Sequence, residues 1–244
     1  MFRRIREFIS ALVLLLAIGF TGAVQAQSDA LRIGIIGTGN IGGALARHWS
    51  AAGHSLVISS RNPDQLEPLA EELGPRVRAG TPLEAAAFGE IILVSVPYAA
   101  MPQIGTDFAD QLRGKIVLDT SNPVARRDGE EFSAEALGKG SGIASAEFLP
   151  GTRLVRAFNC IPAASLANEP NRRPARIAIP LAGDDEEALM VAQRLVDEAG
   201  FDGVVVGGLE TARFFDLGEP LALGTASAEE LRMAIAEVLG ADRD

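Results

Sequence analysis

Residues 31–42 read Leu-Arg-Ile-Gly-Ile-Ile-Gly-Thr-Gly-Asn-Ile-Gly, a short apolar strand running straight into Gly37-x-Gly39-x-x-Gly42. That spacing is suited to seating a pyrophosphate. Gly37 allows a tight turn, Gly39 lets the backbone approach the phosphates, and Gly42 lets the following helix pack closely on the strand. Free N–H groups and a partial positive charge at the helix amino end then face the anion. Thr38, Asn40 and Ile41 fill the remaining positions of the expected cradle. A helix predicted over 41–52 follows at once, which puts the glycines in the strand–turn–helix setting of a dinucleotide site.

The next strand, Ser55–Ser59, ends about 20 residues past the glycines, where an NAD enzyme places Asp or Glu for the ribose 2′-hydroxyl. Here the chain runs instead into Ser60-Arg61-Asn62-Pro63. No carboxylate is present to repel a 2′-phosphate, and a hydroxyl, a guanidinium and a carboxamide can all donate to one. The reading is NADP(H) rather than NAD(H). The competing one makes Arg61 a solvated loop cation and Ser60 and Asn62 caps for a helix from Pro63; the two roles can coexist.

Other catalytic chemistry is sparse. The two histidines are His48, on the first helix and expected in solvent, and His54, expected at the amino end of the sheet. Without a further His or a Gly-x-Ser-x-Gly elbow, a Ser-His-Asp hydrolase is disfavoured. One Cys and two dispersed His match no zinc spacing. The acids at 184–187 read as a helix amino end, with Asp184 as its cap, in preference to a hard-cation site. Cys160 reads as a buried structural thiol. Hydride transfer between two bound carriers asks little of side chains beyond distance, orientation and exclusion of water. That economy fits this chain, and no residue is assigned a catalytic role.

The elements that must position these residues alternate as strand and helix, the signature of an α/β fold with a Rossmann-type doubly wound parallel sheet. Strands are expected at 76–79, 90–96, 115–119, 153–159, 177–182 and 203–206, with helices at 63–73, from Pro82, and at 98–112, 186–199, 209–217 and 228–239. The stretch 124–151, rich in Gly, Ser and charge, reads as long loops with one short helix near 130–137. Val96-Pro97 and Ser121-Asn122-Pro123 fall at carboxyl ends of strands, where ligands bind in such sheets.

Residues 1–26 stand apart. Arg3, Arg4 and Arg6 precede an apolar run over 8–20, and Val24-Gln25-Ala26 supplies small residues before a polar start at Gln27. This reads as a secretory signal peptide, so the protein is expected to be exported, in the periplasm. The alternative is an inner-membrane anchor by an uncleaved segment. Cleavage would leave 218 of 244 residues and shift the net charge from −10 to −12. So acidic a surface disfavours nucleic acid and anionic membrane as partners of the mature form. The expected organisation is an NADP-binding domain over 29–152 and a small C-terminal α/β extension over 153–244 that completes the sheet and an acceptor cleft.

Residues 36–54 (Ile-Gly-Thr-Gly-Asn-Ile-Gly-Gly-Ala-Leu-Ala-Arg-His-Trp-Ser-Ala-Ala-Gly-His), Ser59-Ser60-Arg61-Asn62-Pro63, Val96-Pro97 and Ser121-Asn122-Pro123 carry a family resemblance. So do the runs from Arg156 to Ala164 and from Ala182 to Ala188. Together they resemble the NADP oxidoreductases dependent on the deazaflavin coenzyme F-420. More distantly they are similar to the oxidoreductase domain of epithelial metalloreductases. The resemblance spans about 31–207. It implies that residues 38–42 hold the pyrophosphate and Ser60, Arg61 and Asn62 the 2′-phosphate. Val96 and Pro97 would lie along the ribose and nicotinamide, with Asn159, Cys160, Ile161 and Pro162 bordering the second redox partner. The family usually shows His-Thr-Ile-Pro where this chain has Asn159-Cys160-Ile161-Pro162. A basic residue often found just past the phosphate-binding Arg is Gln65 here, which implies looser 2′-phosphate binding.

The leading expectation is an NADP(H)-binding oxidoreductase that moves hydride between nicotinamide and a flavin-like or deazaflavin acceptor, a small-molecule partner. Two alternatives stand beside it: an NADP-linked reductase of a small imine or keto acid, and a non-catalytic dinucleotide-binding sensor or scaffold. Assembly as a homo-oligomer is left open.

Overall fold

The computed structural model describes residues 30–241, so the expected signal peptide over 1–26 lies outside the described residues. The chain opens with β1 (Arg32–Ile36), α1 (Asn40–Ala51) and β2 (Ser55–Ser59), then a 3₁₀ turn (Pro63–Leu66), α2 (Glu67–Leu73) and β3 (Val77–Gly80). Next come α3 (Pro82–Phe88), β4 (Ile91–Val94), a second 3₁₀ turn (Tyr98–Ala100), α4 (Met101–Asp107), α5 (Ala109–Leu112) and β5 (Ile116–Asp119). Three helices, α6 (Ala125–Asp128), α7 (Glu130–Lys139) and α8 (Ser141–Phe148), lead to β6 (Arg153–Arg156), and α9 (Ala163–Asn168) leads to β7 (Ala178–Gly183). α10 (Glu186–Glu198), β8 (Asp202–Gly207), a third 3₁₀ segment (Leu209–Phe215) and α11 (Ala228–Ala241) follow.

The strands form one sheet in the order β3-β2-β1-β4-β5-β6-β7-β8. Their registers follow from period-two burial. Ile33, Ile35, Leu56, Ile58, Leu93 and Leu118 enter one core, while Ile36, Val57, Ile92, Val94 and Val117 enter the other. Helices therefore cover both faces, and each buried Val, Leu or Ile adds about 1.5–3 kcal/mol relative to exposure. On the first face Trp49 donates from Nε1 to the carbonyl of Leu195 at 2.9 Å, joining α1 to α10. Because β1 pairs with β2 on one side and β4 on the other, the carboxyl ends of β1 and β4 flank the point where strand order reverses. Ligands of open α/β sheets bind there.

The sheet is parallel from β3 to β6 and then changes. β7 runs antiparallel to β6 through Val155↔Gly183 and Arg156↔Ala182, and β8 runs parallel to β7. β6 also ends at Arg156, three residues short of the expected end. Phe158 lies in the left-handed region, with φ of 59°, and turns the chain out of the sheet. The stretch 124–151 is three helices, not long loops. The expected helix near 130–137 is α7; the other two escape the sequence pattern because the fully buried residues of this stretch's helices are small (Ser133, Ala136, Ser141, Ala144, Ser145) and give a weak apolar periodicity. The expected helix 98–112 is broken: Tyr98–Ala100 is a 3₁₀ turn, Pro102 stands in the first turn of α4, and Phe108, with φ of −119° and ψ of 18°, departs from helical geometry. Asp185, not Asp184, caps α10 by accepting from the Ala188 N–H at 2.8 Å. Asp184 accepts from the N–H of Leu209 instead.

Candidate functional site

The glycine turn is built as its spacing requires. Gly37 has φ of 97°, and a Cβ there would sit 2.2 Å from the Ser95 carbonyl oxygen. The N–H groups of Gly37 and Thr38 both donate to the Ser59 carbonyl, at 3.1 and 3.0 Å, which locks the turn to β2. The Thr38 hydroxyl donates to the same oxygen. At Gly42 a Cβ would lie 2.2 Å from the Gly37 oxygen, so α1 rests directly on the turn. At Gly39 a Cβ would meet nothing within 4 Å: that position faces open space. α1 has no side-chain cap and no acid in its first turn, which leaves its amino-terminal N–H groups for an anionic ligand.

That open space is a crevice of about 590 Å³, bounded by Gly37, Thr38, Gly39, Ser60 and Arg61 on one side. Val96, Pro97, Gln103, Ile104 and Asp107 bound the other. Arg61 is exposed and has no carboxylate or hydrogen-bond partner among the described residues. Asn62 is exposed, and its N–H donates to the Ser60 hydroxyl, so those two residues do stabilise the turn ahead of Pro63. A guanidinium, a hydroxyl and an uncapped helix end around one crevice make a receptacle for a nucleotide carrying phosphate at both the diphosphate and the ribose.

A second crevice of about 410 Å³ opens beside the first and shares Gly39, Ser95, Val96 and Pro97 with it. Asn40 and Ile41 lie on the α1 side; Thr120, Ser121 and Asn122, beyond β5, form part of the wall. Phe158, Asn159 and Ile161 form another part, and Arg127 and Leu217 stand at its margin. Of the second-partner residues inferred from resemblance, Asn159 and Ile161 reach this crevice. Cys160 lies instead against Ala178, Pro180, Leu221 and Gly224, and Pro162 is exposed as the residue preceding α9. Burial pushes the Cys160 thiol up to about 11, outweighing a backbone hydrogen bond from Gly224, which suits a structural thiol.

Behind the second crevice lies a cluster of charge that no motif announced. The Arg156 guanidinium, fully buried, donates from Nη1 to Asp119 Oδ2 at 2.6 Å and to the Ser121 carbonyl at 2.7 Å. Its Nη2 lies 3.6 Å from Asp216 Oδ1. Ser145 Oγ donates to Asp119 at 2.7 Å, the Tyr98 hydroxyl donates to the Ser141 carbonyl at 3.0 Å, and Ser141 Oγ donates to Asp216. Burial alone would lower the Arg156 pKa, but the two carboxylates outweigh it and hold it above its ordinary value. Burial also raises Tyr98 above the usual phenol range, so it stays neutral as a donor. The available signal was a lone charge closing each of two apolar strands, Ile-Val-Leu-Asp119 and Leu-Val-Arg156.

The histidines take no part in either crevice. His54 is buried at the amino end of the sheet, accepting at Nδ1 from the Leu31 N–H and meeting Glu198 through Nε2. His48 is not in solvent: its Nε2 meets the Leu166 carbonyl at 2.7 Å, tying α1 to α9. No cluster of three potential metal ligands occurs among the described residues.

The family profile of the coenzyme F420-dependent NADP oxidoreductases matches residues 32–123. The F420-dependent NADP reductase of Methanothermobacter thermautotrophicus is 30% identical over 217 residues, covering 84% of this chain and 93% of that protein. Metalloreductase STEAP3 of Rattus norvegicus is 30% identical over 194 residues, covering 78% of this chain but only 36% of that longer protein. Among solved structures, a hypothetical protein from Sinorhizobium meliloti superposes with a TM-score of 0.69 at 30% identity, covering 82% of this chain and 97% of that one. A reductive aminase from Aspergillus terreus in complex with NADPH shares the fold at 18% identity and a TM-score of 0.56, covering 77% of this chain and 59% of that one. Together with the glycine turn, the uncapped α1 and Arg61 at one crevice, these likenesses establish that the chain belongs to the coenzyme F420-dependent NADP oxidoreductase family and is an NADP-dependent oxidoreductase.

Proposed function

We propose that the protein transfers hydride between NADP(H) in the first crevice and a flavin-like or deazaflavin ring in the second. The observation that carries this is the make-up of the second crevice. Its lining among the described residues includes no carboxylate, imidazole, thiol, amine or phenol. Reduction of an imine or keto acid needs a proton delivered in step with the hydride, and a general acid within hydrogen-bond reach to deliver it. A ring carrier exchanges its proton with solvent and asks the protein only for alignment. At about 410 Å³ the crevice also falls within the range of small-molecule pockets, about 300–1,000 Å³.

The chain's own residues then have simple roles. The α1 amino end and Gly39 receive the pyrophosphate, Ser60 and Arg61 the 2′-phosphate, and Val96 and Pro97 border the nicotinamide where the crevices meet. Asn159 and Ile161 hold the acceptor against it. The nicotinamide supplies the transferable hydride. With NADPH as donor, riboflavin and 5-deazariboflavin are expected to be reduced, followed by loss of NADPH absorbance, while small imines and keto acids are not. Turnover of the latter with none of the former would refute the reading.

Arg61→Glu is expected to weaken NADPH binding by about 10- to 100-fold, the worth of a charge-assisted contact of about 1.5–3 kcal/mol. NADH binding should barely move. Titration of both nucleotides checks this, and an unchanged preference would remove Arg61 from the 2′-phosphate site. For location, we propose export to the periplasm after cleavage before Gln27, on the strength of the charge and apolar pattern of residues 1–26. Mass spectrometry of the protein recovered from the periplasm should find Gln27 at its amino terminus; an intact Met1 in the cytosol would refute it.

A further inference from the structure

Three chain segments wall the second crevice opposite the α1 side, and all three are tied to the buried Arg156. The first follows β5. Arg156 Nη1 holds the Ser121 carbonyl at 2.7 Å, while the Ser121 N–H donates to Asp119 Oδ1 at 2.8 Å. The peptide units flanking Ser121 are thus held by the two members of one ion pair, and Asn122 comes next in the wall. The second segment is the continuation of β6 itself. Asn159 stands three residues beyond Arg156; its Nδ2 donates to the Phe215 carbonyl at 3.0 Å, and its own carbonyl accepts from Asn122 Nδ2 at 2.7 Å. The third segment follows the last 3₁₀ element. Asp216 faces Arg156 at 3.6 Å and is gripped by the N–H and hydroxyl of Ser141, and the next residue, Leu217, lines the crevice.

Stability does not explain this arrangement. A buried ion pair is often no more stabilising than a well-packed apolar replacement. Here Arg156 Nε and Nη2 also lack hydrogen-bond partners, so the guanidinium is incompletely satisfied. What a planar guanidinium supplies that an apolar side chain cannot is fixed direction toward several groups at once. None of its contacts reaches the glycine turn or the Ser60–Arg61 segment.

We propose that Arg156, held between Asp119 and Asp216, is a positioning residue that sets the geometry of the acceptor crevice independently of the nucleotide crevice. This rests on the carrier-to-carrier reading above. The test uses the purified protein with NADPH as donor and riboflavin as acceptor, comparing the unaltered chain with Asp216→Asn, Asp216→Glu and Ser141→Ala. Asp216→Asn should raise the KM for riboflavin by about tenfold or more, since small misplacements of reacting groups cost factors of that order. The NADPH dissociation constant should stay within about twofold, a change of at most about 0.4 kcal/mol. Asp216→Glu, which keeps the charge, should restore part of the loss, and Ser141→Ala should show the same split more mildly. If Asp216→Asn does not fold, Ser141→Ala carries the comparison. An unchanged riboflavin KM, or NADPH affinity falling in parallel, overturns the positioning role alone. Failure of the unaltered protein to reduce any ring acceptor removes the carrier reading and this one with it.

Discussion

Gly39→Val should abolish useful NADPH binding while costing the fold little, about 1 kcal/mol or less. The expectation follows from what surrounds that residue. A Cβ there meets no protein atom within 4 Å, and its φ of −88° is open to any amino acid. No neighbouring atom therefore opposes the first carbon of the new side chain, and giving up glycine at the N-cap of α1 costs about 1 kcal/mol or less. The added methyls project in front of the uncapped amino end of α1, where the pyrophosphate must approach. Losing two charge-assisted hydrogen bonds of about 1.5–3 kcal/mol each weakens binding by about 100-fold or more. Gly42→Ala is the control with the opposite cause. Its Cβ would press on the Gly37 oxygen at 2.2 Å, so α1 must lift from the turn, as overpacking that costs about 1–3 kcal/mol. Nucleotide titration and thermal melts separate the two: the first variant loses affinity with its midpoint little changed, and the second loses both. A Gly39→Val protein that binds NADPH normally would show that the diphosphate does not lie against this turn.

Much of the nucleotide half was legible because its demands on the chain are local. Strand, turn, glycines and helix amino end fall within residues 32–51, and Ser60 and Arg61 follow directly on the neighbouring strand. The positions of these features depend on backbone geometry that the glycines alone permit, so residue type and spacing carry the information. The second crevice is lined by Asn122, Asn159 and Leu217, residues far apart in sequence that tertiary structure brings together. Of the residues that the resemblance implied for the second partner, Asn159 and Ile161 line this crevice, whereas Cys160 lies against Ala178, Pro180 and Leu221, beyond the left-handed turn at Phe158. The helix near 130–137 was read, but α6 and α8 were not, because α6 buries no residue and the fully buried residues of α8 are Ser, Gly and Ala, which signal little by hydropathy. The reversal at β7 was hidden for a related reason: Ala178–Gly183 is buried throughout, and burial on both faces does not tell a parallel from an antiparallel neighbour.

The charged cluster was the least legible feature and carries the largest expected stability effect. Asp119→Ala removes the carboxylate that accepts from Arg156 at 2.6 Å, Ser145 at 2.7 Å and the Ser121 N–H at 2.8 Å. Arg156, buried in the unaltered protein, would keep only a carbonyl and Asp216 at 3.6 Å. Breaking a buried pair from one side costs about 3–5 kcal/mol, a large share of the roughly 5–15 kcal/mol that holds a domain together. Asp119→Asn keeps the shape and one accepting oxygen, so its loss should be smaller. The combination Asp119→Leu with Arg156→Met removes that pair and should recover part of what Asp119→Ala loses, because apolar replacements of similar volume tolerate burial, while Asp216 keeps only the N–H and hydroxyl of Ser141. Denaturant unfolding of the unaltered protein, Asp119→Leu, Arg156→Met and their combination closes a double-mutant cycle and gives the coupling energy, expected above about 2 kcal/mol for groups in one network. The double variant should bind NADPH, since the glycine turn is untouched, yet reduce riboflavin poorly, since the Ser121 carbonyl, the Ser121 N–H and Asp216 then lose their ties to positions 119 and 156. A cost below about 1 kcal/mol for Asp119→Ala, the size of an ordinary substitution, would mean that Arg156 finds another partner and that the acceptor walls stand without it.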